Sequence, residues 1–281
     1  MLSSKIMIKL ESLLTPVGDM ALKRRARWII TQLQAKSGEK IVDLGCGNGY
    51  YLYLLNNVPI KNLSVVGIDS DANALQAING YVRNRNINLK KANLEQIPLR
   101  DNSFDKAIIS EVIEHVENPS KVLAEIRRIL KPNGTLLLTT PNINYPFFWD
   151  PVNWFLQRVF HTHIKSGFWA GIWNQHLRLY TKDQIFELMI KNGFIVDQLD
   201  SLTQWCLPFN HYLVNYVARL FYGGNLPPKL ARTVSKFESV KQPILIKLIY
   251  WLINTYDSLN DIWSESNGVS LVIKAYKDKE I

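Results

Sequence analysis

The sequence is short of several things, and each shortage excludes a class of protein. Two cysteines, Cys46 and Cys206, cannot build a disulfide framework or a cysteine-ligated zinc site. A reducing, cytoplasmic setting is therefore expected. No run reaches the ~18 consecutive apolar residues of a membrane-spanning helix. The opening MLSSKIMIKLESLLTP is interrupted by Lys9 and Glu11, so it lacks the apolar centre of a secretory signal. There is no internal repeat and no low-complexity segment. The G-x-G-x-x-G spacing of a dinucleotide site is also missing, because Tyr50 stands where its third glycine would fall. The five histidines are His115, His161, His163, His176 and His211. His161 and His163 could share one face of an extended loop, but no third ligand accompanies them, and no metal site is expected.

What remains is a chain of 281 residues, 47% hydrophobic and 20% charged, enough for one large domain with a sizeable core. Lys plus Arg number 33 against 24 Asp plus Glu, a net charge of +9. That balance favours anionic partners such as nucleic acid, a membrane surface or a phosphorylated substrate. Scattered surface lysines would give the same balance.

The stretch that organises the chain is IVDLGCGNG, Ile41 to Gly49. Ile41 to Leu44 reads as a buried strand, and Gly45, Gly47 and Gly49 then allow a sharp turn against a ligand. Tyr50 to Asn56 reads as the following helix, which makes a nucleotide-shaped site. Further along, Leu63 to Asp69 is an apolar run ending in an acid, and Asp69-Ser70-Asp71 could cap a helix from Ala72 to about Arg85. Ile87 to Asn93 and Phe104 to Ser110 read as the third and fourth strands. Ser120 to Leu130 follows as a helix ended by Pro132-Asn133-Gly134, then Thr135 to Thr140 as the fifth strand. Asp19 to Gln34 is a helix ahead of the first strand, carrying Lys23-Arg24-Arg25-Ala26-Arg27. Such a cluster suits a solvated face, RNA, anionic lipid, or a carboxylate of a bound ligand.

The glycine turn with Asp43, then Asp69, Asn93-Leu94-Glu95, FDKAIISEVIEHV and ILKPNGTLLLTTPN resemble, in order and spacing, the type 11 family of class I methyltransferases. That family includes the ubiquinone-biosynthesis-like O-methyltransferases. The resemblance spans about Lys36 to Asn142, resumes at His176 to Leu199, and makes Val269 to Tyr276 the seventh strand. It implies a Rossmann-like α/β fold, a seven-stranded, mostly parallel sheet with an antiparallel last strand. It implies S-adenosyl-L-methionine as cofactor, held by Asp43, Gly45, Cys46, Gly47, Asp69, Ser70, Asn93, Leu94, Ser110 and Glu111. Asp69 would accept from both ribose hydroxyls. Asn93 stands where an Asp is usual and keeps a carbonyl acceptor for the adenine amino group. His115, just past the fourth strand, would face the acceptor as a base or an orienting group. The N-P-P-Y-like motif of amino-methylating enzymes is absent, its place taken by Ser110-Glu111-Val112-Ile113.

Two segments lie outside the family pattern. Residues 143–175 form an aromatic insertion with Trp149, Trp154, Trp169 and Trp173, of a length usual for lids. Residues 203–267 form a helical insertion before the last strand, with helices expected at Leu207 to Tyr222 and at Ile244 to Ile253. Their content suits a helical cover, a pocket for a small or lipid-like acceptor, peripheral membrane contact or a protein partner. The expected activity is methyl transfer to a hydroxyl of such an acceptor. An RNA methyltransferase using the basic helix, and a non-catalytic cofactor-binding module, are the alternatives.

Overall fold

The computed structural model of the protein describes residues 3–78, 82, 86–206, 209, 212, 237, 244–262 and 267–278. Its strands are β1 (Lys40–Leu44), β2 (Ser64–Asp69), β3 (Ile87–Lys91), β4 (Phe104–Ser110), β5 (Leu130–Pro141), β6 (Phe194–Leu202) and β7 (Ser270–Lys277). They form one sheet in the order β3-β2-β1-β4-β5-β7-β6. The pairs from β3 to β5 are parallel, and β7 runs antiparallel between β5 and β6. This is the fold that the sequence implied.

Strands covered on both faces should be apolar along their buried length rather than alternating, as in Val65 to Ile68 of β2 and Ala107 to Ile109 of β4. Ile41, Val65, Ile108 and Leu137 face one layer, built on α1 (Ser4–Leu14), α2 (Met20–Leu33), α3 (Tyr50–Asn57) and α4 (Ala72–Ile78). Val42, Leu44, Val66, Ile68 and Ile109 face the other, under α5 (Pro119–Ile129) and α7 (Lys182–Lys191). The helix ends follow local chemistry. Asp19 caps α2 by accepting from the Leu22 amide, and Thr181 with Gln184 forms a reciprocal capping box on α7.

Several boundaries differ from expectation. Helix α5 stops at Ile129, where Leu130 turns extended, and Leu130 already pairs with Phe104. The expected turn Pro132-Asn133-Gly134 is thus an excursion inside β5, and pairing resumes at Lys106 and Thr135. Strand β3 ends at Lys91, because the Asn93 side chain bends the chain by accepting from the Glu95 amide at 2.9 Å. The aromatic insertion contains α6 (Pro151–Phe160) and a 3-10 segment, Phe168–Trp173. The insertion is knit together by buried Asp150, whose carboxylate accepts from the Asn153 side chain and amide and from the Ile172 amide. In the second insertion, Ile244 to Ile253 lies within α8 (Ile244–Asp257), followed by α9 (Leu259–Ile262). The helix expected at Leu207 to Tyr222 lies, apart from Phe209 and Tyr212, outside the described residues, as does most of the run expected beyond Ile78.

The basic cluster of α2 is not a solvated face, and this corrects the commonest expectation for it. Lys23 and Arg24 are buried and share the carboxylate of Asp257 from α8, at 3.2 Å and 2.6 Å. Arg24 also reaches Asp261, and Arg27 makes a two-pronged pair with Glu11 of α1. Burial lowers the Lys23 pKa although Asp257 pulls against it. These cations are spent on structure, which removes the surface an RNA backbone would need there.

Candidate functional site

The carboxyl ends of β1, β2, β4 and β5 lie side by side, and this edge of an open α/β sheet is where ligands bind. The turn after β1 is fixed to its neighbour. The amides of Gly45 and Cys46 both donate to the Ile68 carbonyl, at 2.8 Å and 2.9 Å. Gly45 has φ +70°, and a Cβ there would lie 2.4 Å from Cγ2 of Val112. The next glycine of the turn closes it: the Gly47 amide donates to Oδ2 of Asp69 at 2.7 Å, while Oδ1 accepts from the Asp71 amide at 2.9 Å. Among the described residues, and apart from its chain neighbours, no atom lies within 4 Å of where a Cβ on Gly47 would stand, so the turn presents open backbone beside an acidic side chain. Asp69 therefore does part of the capping work read from the sequence while keeping its carboxylate at the mouth of the turn.

The other expected contacts are distributed around this centre. The Ala92 amide donates to the Asp69 carbonyl at 3.0 Å, which sets exposed Asn93 and buried Leu94 at the lip beyond β2. Ser70 is exposed beside them, and Cys46 is buried beneath the turn, its thiol pushed up mainly by burial. Ser110 joins a chain of hydroxyls, 2.8 Å from Tyr51 and 2.9 Å from Thr139. Thr139 in turn donates to Oε1 of Glu111 at 2.9 Å, and Arg25 stands 3.4 Å from its Oε2. Arg25 is the functional candidate that the sequence left undistinguished within its cluster. It also donates to Ser270, and although burial opposes its charge, Glu111 raises its pKa. Only the partner could have singled it out, and Glu111 is remote in sequence.

Asp43 lies below the turn, 1% exposed, with Oδ2 unpartnered among the described residues. Burial, then the nearby charge of Asp69, pushes its pKa up to about 8. A carboxyl raised in this way keeps its proton in the folded state where the unfolded chain has lost it, so stability falls as pH rises from about 4 to about 8. Asp43→Asn, neutral at every pH, should therefore raise the melting temperature of the cofactor-free protein at pH 8. The gain should shrink towards pH 5, which a thermal-shift series would read directly.

His115 lies past Ser110, on the loop after β4. Its Nδ1 is 2.9 Å from the Gln175 carbonyl, and its ring meets that of His176 edge-on, with centroids 4.6 Å apart. Buried Glu114 sits between the two histidines, its pKa raised well above the usual range by burial and by Glu111. His163 is stacked on Trp173 at 3.8 Å. A separate polar groove of about 290 Å³, lined by Lys36, Glu39, Asp105, Lys106 and Lys131, opens at the amino ends of β1 and β4. It lies at the opposite edge of the sheet from the glycine turn.

With this geometry in place, resemblances to known proteins become informative. Residues 42–138 match a family described as a methyltransferase domain. A ubiquinone/menaquinone biosynthesis C-methyltransferase of Haemophilus ducreyi is 31% identical over 131 residues, 45% of this chain and 49% of that protein. A ubiquinone biosynthesis O-methyltransferase of Rickettsia bellii is 24% identical over 220 residues, 70% of this chain and 82% of the other. The chain spans less than half the length of the curated relatives that match it at 31–35% identity. Among solved structures, a phosphoethanolamine N-methyltransferase of Haemonchus contortus bound to S-adenosylhomocysteine has a TM-score of 0.57 at 20% identity. It is matched over 91% of this chain and 53% of that one.

Proposed function

We propose that the protein, whose residues 42–138 match a methyltransferase domain, transfers a methyl group from S-adenosylmethionine to a hydroxyl of a small or lipid-like acceptor. The observation that carries the cofactor side is the glycine turn tied to Asp69, with open backbone at Gly47 and a carboxylate beside it. S-adenosylmethionine bound there would have its ribose hydroxyls at Asp69 and its adenine near Asn93 and Leu94. Asp43, Cys46, Ser70, Ser110 and Glu111 would line the same site. The methionine carboxylate would meet Arg25, whose guanidinium is held at the same sheet edge by Glu111.

Sulfonium chemistry asks little more of the protein than alignment. The methyl leaves a cationic sulfur as a neutral thioether departs, and orientation alone can supply ~7–11 kcal/mol of the barrier. The acceptor hydroxyl must also lose its proton, and His115, on the loop after β4, is our candidate for orienting that hydroxyl.

The lipid-like character rests on exposed apolar side chains in the two insertions. Phe155, Val159 and Phe160 stand out from α6, and Leu248, Trp251 and Leu252 from α8. No helix among the described residues is long and apolar enough to cross a membrane. Contact would therefore be peripheral, through these side chains.

The test is methyl transfer from labelled S-adenosylmethionine to quinol, polyprenyl and glycolipid acceptors, together with flotation on liposomes. Labelled product on one lipid class is expected, with flotation reduced by Phe160→Glu and Trp251→Glu. Cofactor binding with neither product nor flotation would discard the acceptor while leaving the cofactor site standing.

A further inference from the structure

Glu114, His115 and His176 form a cluster that the cofactor site does not use. One ligand atom from each lies within 4.8 Å of the other two. Glu114 is completely buried, and its Oε1 has no hydrogen-bond partner among the described residues. That oxygen is 3.8 Å from Nε2 of His115 and 3.8 Å from Nε2 of His176. These separations are too long for hydrogen bonds.

The histidines are oriented from behind. Nδ1 of His115 faces the Gln175 carbonyl at 2.9 Å, and Nδ1 of His176 faces the carbonyl of Ile172. A carbonyl can only accept, so both Nδ1 atoms carry a proton, and in the neutral imidazole each Nε2 then offers its lone pair towards Glu114. Two imidazole nitrogens and a buried carboxyl oxygen thus converge on one point. Backing of an imidazole Nδ1–H by a carbonyl is the usual support of a metal-bound histidine. The cluster is also braced: Glu114 Oε2 accepts from Thr140 at 3.0 Å, and the Leu177 amide donates to the Glu114 carbonyl at 3.2 Å.

We propose that Glu114, His115 and His176 bind a divalent transition-metal ion of the zinc type. Two imidazoles and one carboxylate are a zinc-ligand set that leaves a fourth position open. Ligands ~2.0–2.1 Å from a tetrahedral zinc stand ~3.3 Å apart, so binding would close each of the two 3.8 Å separations from Glu114 by about half an ångström. The open position takes water or an oxygen of the acceptor, a hydroxyl or a carboxylate. His115 then orients the acceptor through the metal rather than touching it. This last point rests on the proposed methyl transfer; the metal site does not.

The test uses the full chain, stripped with chelator, titrated with zinc chloride by calorimetry and with cobalt(II) by visible absorption. One zinc per chain is expected, with a cobalt spectrum showing tetrahedral nitrogen and oxygen ligation. His176→Gln, Glu114→Gln and His115→Ala should each weaken zinc binding by at least about 100-fold, while His163→Ala leaves it unchanged. S-adenosylmethionine binding, measured in parallel, reports folding and the cofactor site separately. Failure of the wild type to bind zinc or cobalt would overturn the proposal. Binding that persists undiminished in His115→Ala, the most exposed of the three, would overturn it as well.

Discussion

Asp69→Ala is expected to weaken S-adenosylmethionine binding by about 100-fold or more. Two effects add. A carboxylate accepting from two ribose hydroxyls contributes roughly 1.5–3 kcal/mol per bond. The same side chain also holds the Gly47 and Asp71 amides, so its removal loosens the turn that would cradle the cofactor. Asp69→Asn separates the two. One amide oxygen can still accept from a backbone amide, but the charge is gone and the second position becomes a donor. Calorimetric titration of both variants should show Asn binding weakly and Ala not measurably. Unchanged affinity in Asp69→Ala would place the ribose elsewhere.

Asp257→Ala should be strongly destabilising, for a reason distant from the proposed cofactor site. Asp257 is 2% exposed and serves two buried cations at once. Removing it leaves Lys23 and Arg24 in the interior without their shared counter-charge. Breaking a buried pair from one side costs about 3–5 kcal/mol. For a chain of this size that is a fall in melting temperature on the order of 10 °C. Asp257→Asn keeps an oxygen for the Arg24 guanidinium and should lose less. Thermal unfolding of the two variants, followed by circular dichroism, would show the ordering. Equal, small losses would mean that water replaces the carboxylate without cost.

The fold was legible because its signals are local. The apolar runs at Leu63 and Phe104 end at polar residues, Asp69 and Ser110, and the run at Ile41 ends at the glycine turn, all on the same sheet edge. The residues proposed for the cofactor could be named as positions, since a glycine turn and a strand-end acid announce themselves in the local sequence. Their pairings could not. Arg25 looked like one cation among several in α2 until Glu111 and Ser270 were found against it. Lys23 and Arg24 looked like surface charge because Asp257 is supplied from the far end of the chain. Glu114 and His176 likewise meet only through the turn that follows the aromatic insertion. Side-chain partners remote in sequence leave no periodicity to read.

The placement of β7 has a further consequence for how the protein is made. Residues Ser270 to Lys277 fill the gap between β5 and β6, pairing with Thr135 to Pro141 on one side and Phe194 to Leu202 on the other. During synthesis, β5 and β6 therefore leave the ribosome well before the strand that joins them. Until it arrives, the half-built sheet carries an open, strongly apolar border at Leu136 and Leu138, the kind of edge that recruits foreign strands. The interval between translating β6 and β7 is thus the window in which a nascent chain depends most on chaperones, and the long stretch of chain between Leu202 and Ser270 lengthens that wait.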